Sequence, residues 1–313
     1  MAALLEQGSY LSADGKTRVV YKKWTDDETP AHGVLQLAHG MAEYIARYDA
    51  FARYMAANGY VVYGSDHLGH GDTAKTPDEL GYFAESGGYK LLTDDLKSLT
   101  DIARAENPSL PLALLGHSMG SFVARLYAAT YSKAADALIL SGTSGPNPAG
   151  SLGILAVNLL SLFKGERHRS KFINNLAFGA YNKKYGEVKT PFDWLSANEQ
   201  NVREYIADER CGFVFTLSAF RDLFRLLGAI SGAGWAAKLR KNLSVLLVSG
   251  EEDPVGAFGA GVRKVRDTLS AAGVSDVTLK LYDGMRHEIL NETGKEHVWA
   301  DILSWCDKRL KSE

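Results

Sequence analysis

The sequence predicts an α/β protein whose mostly parallel sheet is covered by helices on both faces and carries an inserted helical cap. Short runs that are almost entirely apolar alternate with longer segments of helical pattern along most of the 313 residues. Strands that are apolar at every position are typical of a parallel sheet buried on both faces. The alternation stops between about Gly145 and Trp235, where only helical patterns occur.

The chain is predicted to begin with an N-terminal hairpin, followed by the first strands and helix of the core. One arm of the hairpin is predicted at "TRVVYKKW", which follows the turn "DGKT". A strand at "GVLQLAHG" ends in a glycine turn, and "DAFARYMAANGY" has the spacing of an amphipathic helix that ends at Gly59. The next strand is predicted at "YVVYGSDHLGHG".

The remaining core elements continue the alternation. Helical patterns occur at "LLTDDLKSLTDIARAEN", from Ser118 onward and at "GKEHVWADILSWCDKRLK". Buried strands are predicted at "LALLGH", "DALILSGTSG", "LSVLLVSGEED" and "VTLKLYDG". Such sheets carry their chemistry at the carboxyl ends of the strands.

The interruption is predicted to be a cap of residues 146–235 over a core of residues 1–145 and 236–313. The cap begins with the apolar "SLGILAVNLLSLF", followed by the basic "KGERHRSK". Apolar residues recur at helical intervals in its last part: Phe213, Leu217, Phe220, Phe224 and Leu227. Both stripes fit packing within the cap and core, and they also fit the wall of a site for an acyl chain.

Composition and charge argue against a nucleic-acid-binding or membrane-spanning protein. A formal net charge of −2 and a pI near 6.5 give no electrostatic reason to expect a nucleic-acid partner. Without a basic leader or an apolar run of membrane-spanning length, the chain is expected to be cytoplasmic. Cys211 and Cys306 lie far apart and are expected to be reduced, buried thiols. Nothing in the sequence indicates an oligomeric state.

Ser118 is the candidate nucleophile. It lies between an apolar strand and a helix in the pattern Gly116-His117-Ser118-Met119-Gly120. The pattern alone is weak, but a serine in a tight strand-to-helix turn has a strained backbone and projects its Oγ from the sheet. The flanking Gly116 and Gly120 are then required, because a Cβ at either position would collide with the neighbouring strand or helix.

A serine hydroxyl needs a neighbouring base, and His287 is the predicted one because it directly follows the last predicted strand. His117 is expected to point away from the serine, and His297 lies within the final helix. The acid that orients the base is expected among Glu251, Glu252 and Asp253, and Asp253 before Pro254 is the choice.

Acyl transfer also requires hydrogen-bond donors to the developing oxyanion. The backbone N–H of Met119 is the first candidate, and the N–H of Met41, after the turn at Gly40, is the second.

A possible metal cluster occurs at "DHLGHGDT", which contains Asp66, His67, His70 and Asp72. Its spacing matches no zinc pattern, so a structural turn is predicted and no metal or cofactor is expected.

These segments resemble the α/β-hydrolase family, and within it the monoacylglycerol lipase and lysophospholipase-like group that includes serine aminopeptidase S33-type hydrolases. "HGMAEYIARYDAFARYM" is similar to the group's HGxxEHxxRY element and "GSDHLGHGDT" to its DxxGHGxS loop. "LLGHSMGS" is similar to its GHSMGG elbow, and "GEEDPVG" and "GMRHEILNE" resemble its acid and base segments. The resemblance covers about residues 10–145 and 240–310, and the cap is similar only in length and helical character.

The resemblance implies a cofactor-free serine hydrolase that cleaves carboxylic esters of small acyl substrates, monoacylglycerols or lysophospholipids. It also implies that Glu43 and Arg47 brace the oxyanion turn with an ion pair. Tyr44 stands where the group usually has His, Thr73 where it has Ser, and Ser121 where it has its second Gly. Tyr44, Phe213 and Phe220 are the expected substrate contacts.

Three alternative functions are weighed, and two of them stay open. An aminopeptidase or amidase on the same scaffold would hold a free amine with cap carboxylates such as Glu199, and a ligand receptor would keep a residual triad. A halide or epoxide enzyme is disfavoured, since it would need Asp at position 118. The apolar and basic start of the cap also suggests transient contact with a membrane surface.

Overall fold

The computed structural model describes residues 4–146 and 150–310, and its centre is an eight-stranded sheet. The strands are β1 (Leu4–Leu11), β2 (Arg18–Thr25), β3 (Gly33–Ala38), β4 (Tyr60–Ser65), β5 (Leu112–His117), β6 (Ala137–Ser141), β7 (Ser244–Gly250) and β8 (Asp276–Tyr282). Their order across the sheet is β1-β2-β4-β3-β5-β6-β7-β8.

The sheet is parallel from β4 through β8, and β1 and β2 add an antiparallel hairpin beside β4. This confirms the predicted hairpin and the mostly parallel sheet. Because parallel strands end at the same edge, the loops after β3, β5, β7 and β8 gather there.

Helices cover both faces of the sheet. They are α1 (Asp49–Ala57), α2 (Gly88–Glu106), α3 (Met119–Thr130), α4 (Gly150–Lys164), α5 (Lys171–Phe178), α6 (Glu199–Ala207), α7 (Leu217–Ala229), α8 (Ala260–Ala271) and α9 (Lys295–Leu310). In β5, Leu112 and Leu114 pack in the core that α2, α3 and α8 share, while Ala113 and Leu115 pack in the core of α1 and α9. The apolar strands are therefore buried on both sides, as predicted.

Helix α8 was missed by the sequence interpretation. Its buried residues Val262, Val265 and Leu269 follow helical spacing, but the rest of its surface is polar and charged. Since β7 and β8 are parallel neighbours, the chain must return between them by a crossover, and α8 is that crossover.

The described residues between β6 and β7 form α4–α7 and short one-turn helices, with a single isolated bridge between Arg169 and Thr216. Arg125 in α3 ties both ends of this insertion, because its guanidinium donates to Ser144 O at 2.9 Å and to Ile230 O at 2.8 Å. The exact limits 146–235 and 1–145 with 236–313 stay a prediction, and residues 147–149, 1–3 and 311–313 lie outside the described part.

Helix α4 presents much of its apolar surface outward. Between 58% and 79% of the side-chain surface is exposed at five of its positions: Leu152, Leu155, Leu159, Leu162 and Phe163. In α5, Phe172 and Leu176 are also exposed. None of the described helices combines the length and the apolar character that crossing a membrane requires.

Candidate active site

The turn between β5 and α3 exposes Ser118 at the edge of the sheet. Its backbone lies at φ 52° and ψ −121°, a strained conformation for a residue with a side chain. A Cβ on Gly116 would lie 2.3 Å from Gly120 O, and a Cβ on Gly120 would lie 2.1 Å from Ala38 O. Both contacts are with backbone that cannot move aside, so glycine is required on either side of the serine, as predicted.

His287 and Asp253 form a buried pair across two neighbouring strand ends. Asp253 lies in the β7 loop (residues 251–259) and His287 in the β8 loop (residues 283–294). His287 Nδ1 lies 3.0 Å from Asp253 Oδ2, which also accepts from Ser249 Oγ at 3.1 Å, while Asp253 Oδ1 accepts from Val255 N at 2.8 Å. The carboxylate is thus fixed by three donors, and the arrangement holds Nδ1 as a donor.

The pair favours a charged imidazole beside a charged carboxylate. Burial opposes the imidazolium form of His287, but Asp253, together with Glu288 and Glu43, overcomes burial and raises the pKa of His287 above its usual value. Burial opposes the Asp253 carboxylate too, yet His287 and the surrounding donors keep the pKa of Asp253 below its usual value. Such matched shifts are typical of a base and the acid that orients it.

Ser118 and His287 line the same cavity, which has a volume of about 410 Å³. His287 Nε2 is buried and has no hydrogen-bond partner among the described residues, so the serine–imidazole hydrogen bond is not formed in this structure. Catalytic hydrogen bonds are often long or misaligned before a substrate binds. The two groups therefore share one cavity without a hydrogen bond between them.

Two backbone N–H groups near Ser118 lack partners. Met41 and Met119 both line the cavity, and neither N–H donates a hydrogen bond to a residue in the described part of the chain. Met119 begins α3, so its N–H carries part of the positive end of the helix dipole. Both N–H groups therefore stay the predicted donors to a developing oxyanion.

The β3 loop (residues 39–44) is held by several side chains. Ala42 has a positive φ of 52°, and its N–H donates to His70 Nε2 at 3.2 Å. Its carbonyl accepts from Tyr205 Oη and from Gly212 N, both at 2.9 Å. Cap residues thus help to hold the strained residue next to Met41.

Glu43 braces the same loop. Its Oε1 accepts from Gly40 N at 2.6 Å and from Tyr48 Oη at 2.8 Å, and its Oε2 pairs with Arg47 at 3.0 Å. The ion pair implied by the resemblance is therefore present, and both side chains are nearly buried rather than on an exposed helix face.

The histidines at the end of β4 have structural contacts. Burial lowers the pKa of His67 to about 4 and of His70 to about 3, so both are neutral near pH 7. His70 Nδ1 lies 3.0 Å from Leu68 O, and Asp66 accepts from Ile45 N and Asp72 N. No group of three or more His, Cys, Asp or Glu able to hold a metal ion occurs in residues 4–146 and 150–310.

Two expected substrate contacts need correction. Phe213 lines the cavity, but Tyr44 and Phe220 do not. Tyr44 Oη instead donates to Asp208 Oδ2 at 2.6 Å, at the junction of the β3 loop with the cap. Phe220 is fully buried and stacks on Phe224, since the inner side of α7 packs against the core.

The cavity walls differ in other ways from the sequence interpretation. No residue of α4 lines the cavity, because its exposed leucines and Phe163 face outward while Ile154, Val157 and Leu160 pack in the core, so α4 is not an acyl wall. His117 does not point away, since its ring lies 4.7 Å from that of His287 and lines the cavity. Aromatic residues that the sequence did not single out also line it, namely Phe178, Tyr181 and Trp194.

Comparisons with known proteins agree with this geometry. The family model described as "Serine aminopeptidase, S33" matches residues 29–294. A monoacylglycerol lipase of Mycolicibacterium smegmatis is 31% identical, and the match covers 95% of each chain. The monoglyceride lipase of Homo sapiens is 25% identical over 96% of this chain and 89% of that protein.

A solved structure shows the same likeness. The thermostable carboxyl esterase of Bacillus coagulans, in complex with glycerol, superposes with a TM-score of 0.90 at 31% identity and covers 99% of both chains. These matches confirm the resemblance predicted from the motifs. The chain belongs to the serine aminopeptidase S33 family of α/β-hydrolases, as a carboxylic ester hydrolase of the group that resembles the monoacylglycerol lipases.

Proposed function

We propose that this carboxylic ester hydrolase cleaves monoacylglycerols or lysophospholipids through Ser118, His287 and Asp253. Ser118 Oγ attacks the ester carbonyl while His287 Nε2 accepts its proton, and the N–H groups of Met41 and Met119 stabilise the oxyanion. The imidazolium then protonates the departing alcohol. Water, activated by the same base, hydrolyses the acyl-enzyme and regenerates Ser118.

The observation that carries the proposal is the composition of one cavity. It brings together a serine on a strained turn, two unpartnered backbone donors and a buried histidine whose other nitrogen is held by an aspartate. Ser118 and Met119 follow β5, and the other groups are supplied by the ends of β3, β7 and β8. A fold without acyl-transfer chemistry has no need for that combination.

The walls of the cavity support an acyl ester as substrate. Apolar side chains from the core and the cap line one part of it: Met41, Phe122, Phe178, Phe213, Leu223 and Leu227. A fatty-acyl chain gains about 0.8 kcal/mol for each methylene group that such a wall buries. Relatives named as monoacylglycerol lipases, and an esterase whose structure holds glycerol, support a glycerol ester.

A substrate panel tests the proposal. Monoacylglycerols with acyl chains of 4 to 18 carbons, a lysophosphatidylcholine and an amino-acyl anilide would be compared by kcat/KM, with Ser118→Ala as the inactive control. We expect kcat/KM to be highest for one of the two glycerolipid classes and the anilide to be the poorest substrate. Preference for the anilide would contradict the proposal.

The cap carboxylate that an aminopeptidase was expected to use for binding a free amine does not line the cavity. Glu199 is exposed, pairs with Lys189 and Arg203, and does not line the cavity. Glu43 and Glu288 do line it, but Arg47 pairs with both. A free amine would therefore find these carboxylates already engaged.

We also propose that the outward face of α4 and α5 makes transient contact with a membrane surface. The exposed apolar residues lie next to basic residues such as Lys164 and Lys171, a combination that favours an anionic lipid interface. Flotation with phosphatidylcholine–phosphatidylglycerol vesicles tests this. Leu162→Ser with Phe163→Ser should reduce the floated fraction, whereas the control Leu11→Ser, on β1, should not; equal flotation of all three proteins would contradict it.

A further inference from the structure

A buried ionic cluster joins three parts of the chain directly behind His287. Arg47 donates through Nη1 to Glu288 Oε1 at 2.6 Å and to Glu43 Oε2 at 3.0 Å. Its Nη2 donates to Glu288 Oε2 at 2.8 Å and to Asn201 Oδ1 at 3.1 Å. Asn201 Nδ2 in turn donates to Glu288 Oε2 at 2.7 Å. We call these four residues the Arg47 cluster.

The members of the cluster come from separate functional segments. Glu43 belongs to the β3 loop, Glu288 directly follows His287 in the β8 loop, and Asn201 lies in α6 of the cap. The main chain reinforces the link, since Glu288 N donates to Leu195 O of the cap at 2.7 Å. A shift of any one segment would break hydrogen bonds to the other two.

The two carboxyl groups of the cluster are not equivalent. The Arg47 side chain is 10% exposed and both carboxyl groups are 4% exposed, so all three groups are largely removed from water. Burial raises the pKa of Glu43, whereas Arg47 and Asn201 overcome burial and hold the pKa of Glu288 at about 2. Glu288 is therefore a carboxylate that stays charged next to His287, where it can stabilise a positive charge that forms there.

We propose that Glu288 is a positioning residue for ester hydrolysis. It holds the β8 loop, and with it His287, against the β3 loop through Arg47 and against the cap through Asn201. The negative charge of Glu288 stabilises the imidazolium that forms when Ser118 gives up its proton. This inference rests on the proposed role of His287 as the general base.

Charged and titratable groups surround His287 from every neighbouring element. They are Asp253 from the β7 loop, His117 from the β5–α3 turn, Glu43 and Arg47 from the β3 side, Glu288 from its own loop, Lys264 from α8 and Tyr181 from the cap. Burial lowers the pKa of His117 to about 3 and raises that of Tyr181, so both are uncharged near neutral pH. Burial also disfavours the imidazolium of His287, and Asp253, Glu288 and Glu43 raise its pKa against that effect.

The variant Glu288→Gln tests the inference, because it keeps the shape of the side chain and removes one negative charge. The base works in its neutral form, so kcat/KM rises with pH through the pKa of His287. With less negative charge nearby, that acid limb should move to lower pH by about one unit. We also expect kcat to fall several-fold with KM little changed, measured with a short-chain p-nitrophenyl ester between pH 4 and 8.

Two further variants separate charge from position. Glu199→Gln is the matched control, since Glu199 is on the same cap helix as Asn201 but is 59% exposed and outside the cavity; its acid limb should coincide with that of the unmodified enzyme. Asn201→Ala removes the side-chain link to the cap, leaves the hydrogen bond from Glu288 N to Leu195 O, and does not change the charge. It should lower kcat and leave the acid limb in place.

An acid limb that stays in place in a folded Glu288→Gln protein would overturn the inference, even if its melting temperature falls. If Glu288→Gln does not fold, Glu43→Gln tests the same electrostatic effect, because the Glu43 carboxylate also raises the pKa of His287, and its acid limb should move in the same direction. Failure of the proposed function itself has a different signature. In that case Ser118→Ala and His287→Gln would retain activity.

Discussion

Replacing Asp253 by Asn should nearly abolish turnover while leaving the fold intact. The structure shows why this small change is severe. Val255 N donates to Asp253 Oδ1 at 2.8 Å, so the amide oxygen of an Asn must occupy that position. The amide NH₂ then faces His287 Nδ1, where the carboxylate oxygen Oδ2 now lies at 3.0 Å.

Two donors cannot face each other, so the imidazole must accept at Nδ1 and carry its proton on Nε2. In that tautomer Nε2 cannot accept the proton of Ser118. Loss of the correct tautomer lowers kcat by about 10⁴ in a serine protease whose triad aspartate is changed in this way. That factor corresponds to about 5 kcal/mol of activation free energy.

The assay is kcat for a short-chain p-nitrophenyl ester, with a thermal melt to confirm folding. Glu252→Gln is the matched control, because Glu252 is the neighbouring acid but its side chain is 49% exposed and lies 3.9 Å from Arg286. We expect near-normal kcat for Glu252→Gln. A folded Asp253→Asn enzyme with kcat within tenfold of the unmodified protein would refute the assignment of the acid.

Three other predictions concern positions around the site and the hairpin. Gly120→Ala should lower the free energy of unfolding by roughly 2 kcal/mol or more, because its Cβ would lie 2.1 Å from Ala38 O. The control Gly228→Ala, with no atom within 4 Å of its Cβ, should raise the free energy of unfolding by up to about 1 kcal/mol. Equal melting temperatures of the two variants would contradict the steric argument. Tyr205→Phe removes the 2.9 Å hydrogen bond to Ala42 O and should lower kcat about fivefold with KM unchanged; an effect on KM alone would mean that the hydroxyl contacts substrate instead. Burial raises the pKa of Asp95 from 3.8 to about 6, so its contribution to stability is present below pH 4 and is lost as the pH rises through 6. The stability of the unmodified protein relative to Asp95→Asn should therefore fall by on the order of 2 kcal/mol between pH 4 and 7 in chemical denaturation, and a difference that does not change with pH would show that Asp95 keeps its ordinary pKa.

Local rules were sufficient for much of the fold. The strand β5, the glycines at 116 and 120 and the helix that begins at Met119 are all visible as one apolar run, one tight turn and one helical pattern. The clash that excludes a side chain at Gly116 involves Gly120 a few residues away, whereas the clash at Gly120 involves Ala38 of β3, and the tight turn was the signal for both. Helix α8 was not predicted, because its own pattern is only weakly apolar. A helix is expected there only once the parallel pairing of β7 with β8 is known, since parallel neighbours need a crossover.

The orientation of cap side chains could not be read from periodicity. An apolar stripe shows that a helix has an apolar face but not what the face contacts. The stripe on α4 faces outward, Phe220 on α7 packs inward on Phe224, and Phe213 lines the cavity. Tyr44 is the last residue of the β3 loop, yet its hydroxyl donates to Asp208, which lies 164 positions away.

Long-range polar partners were also beyond local inference. Glu288 is adjacent to His287 in sequence, but Arg47 lies 241 positions away and Asn201 lies 87 positions away. A single sequence gives no sign that these residues meet. The neighbouring Glu43 and Arg47, four positions apart, could be proposed as a pair from the resemblance alone.

The most direct test is the rate and site of modification by a fluorophosphonate, followed by mass spectrometry. If Ser118 and His287 act together, the reagent should modify the peptide that contains Ser118, and His287→Gln should slow this modification by at least about a thousandfold. Modification at another residue, or an unchanged rate in folded His287→Gln, would contradict the joint action of the two side chains.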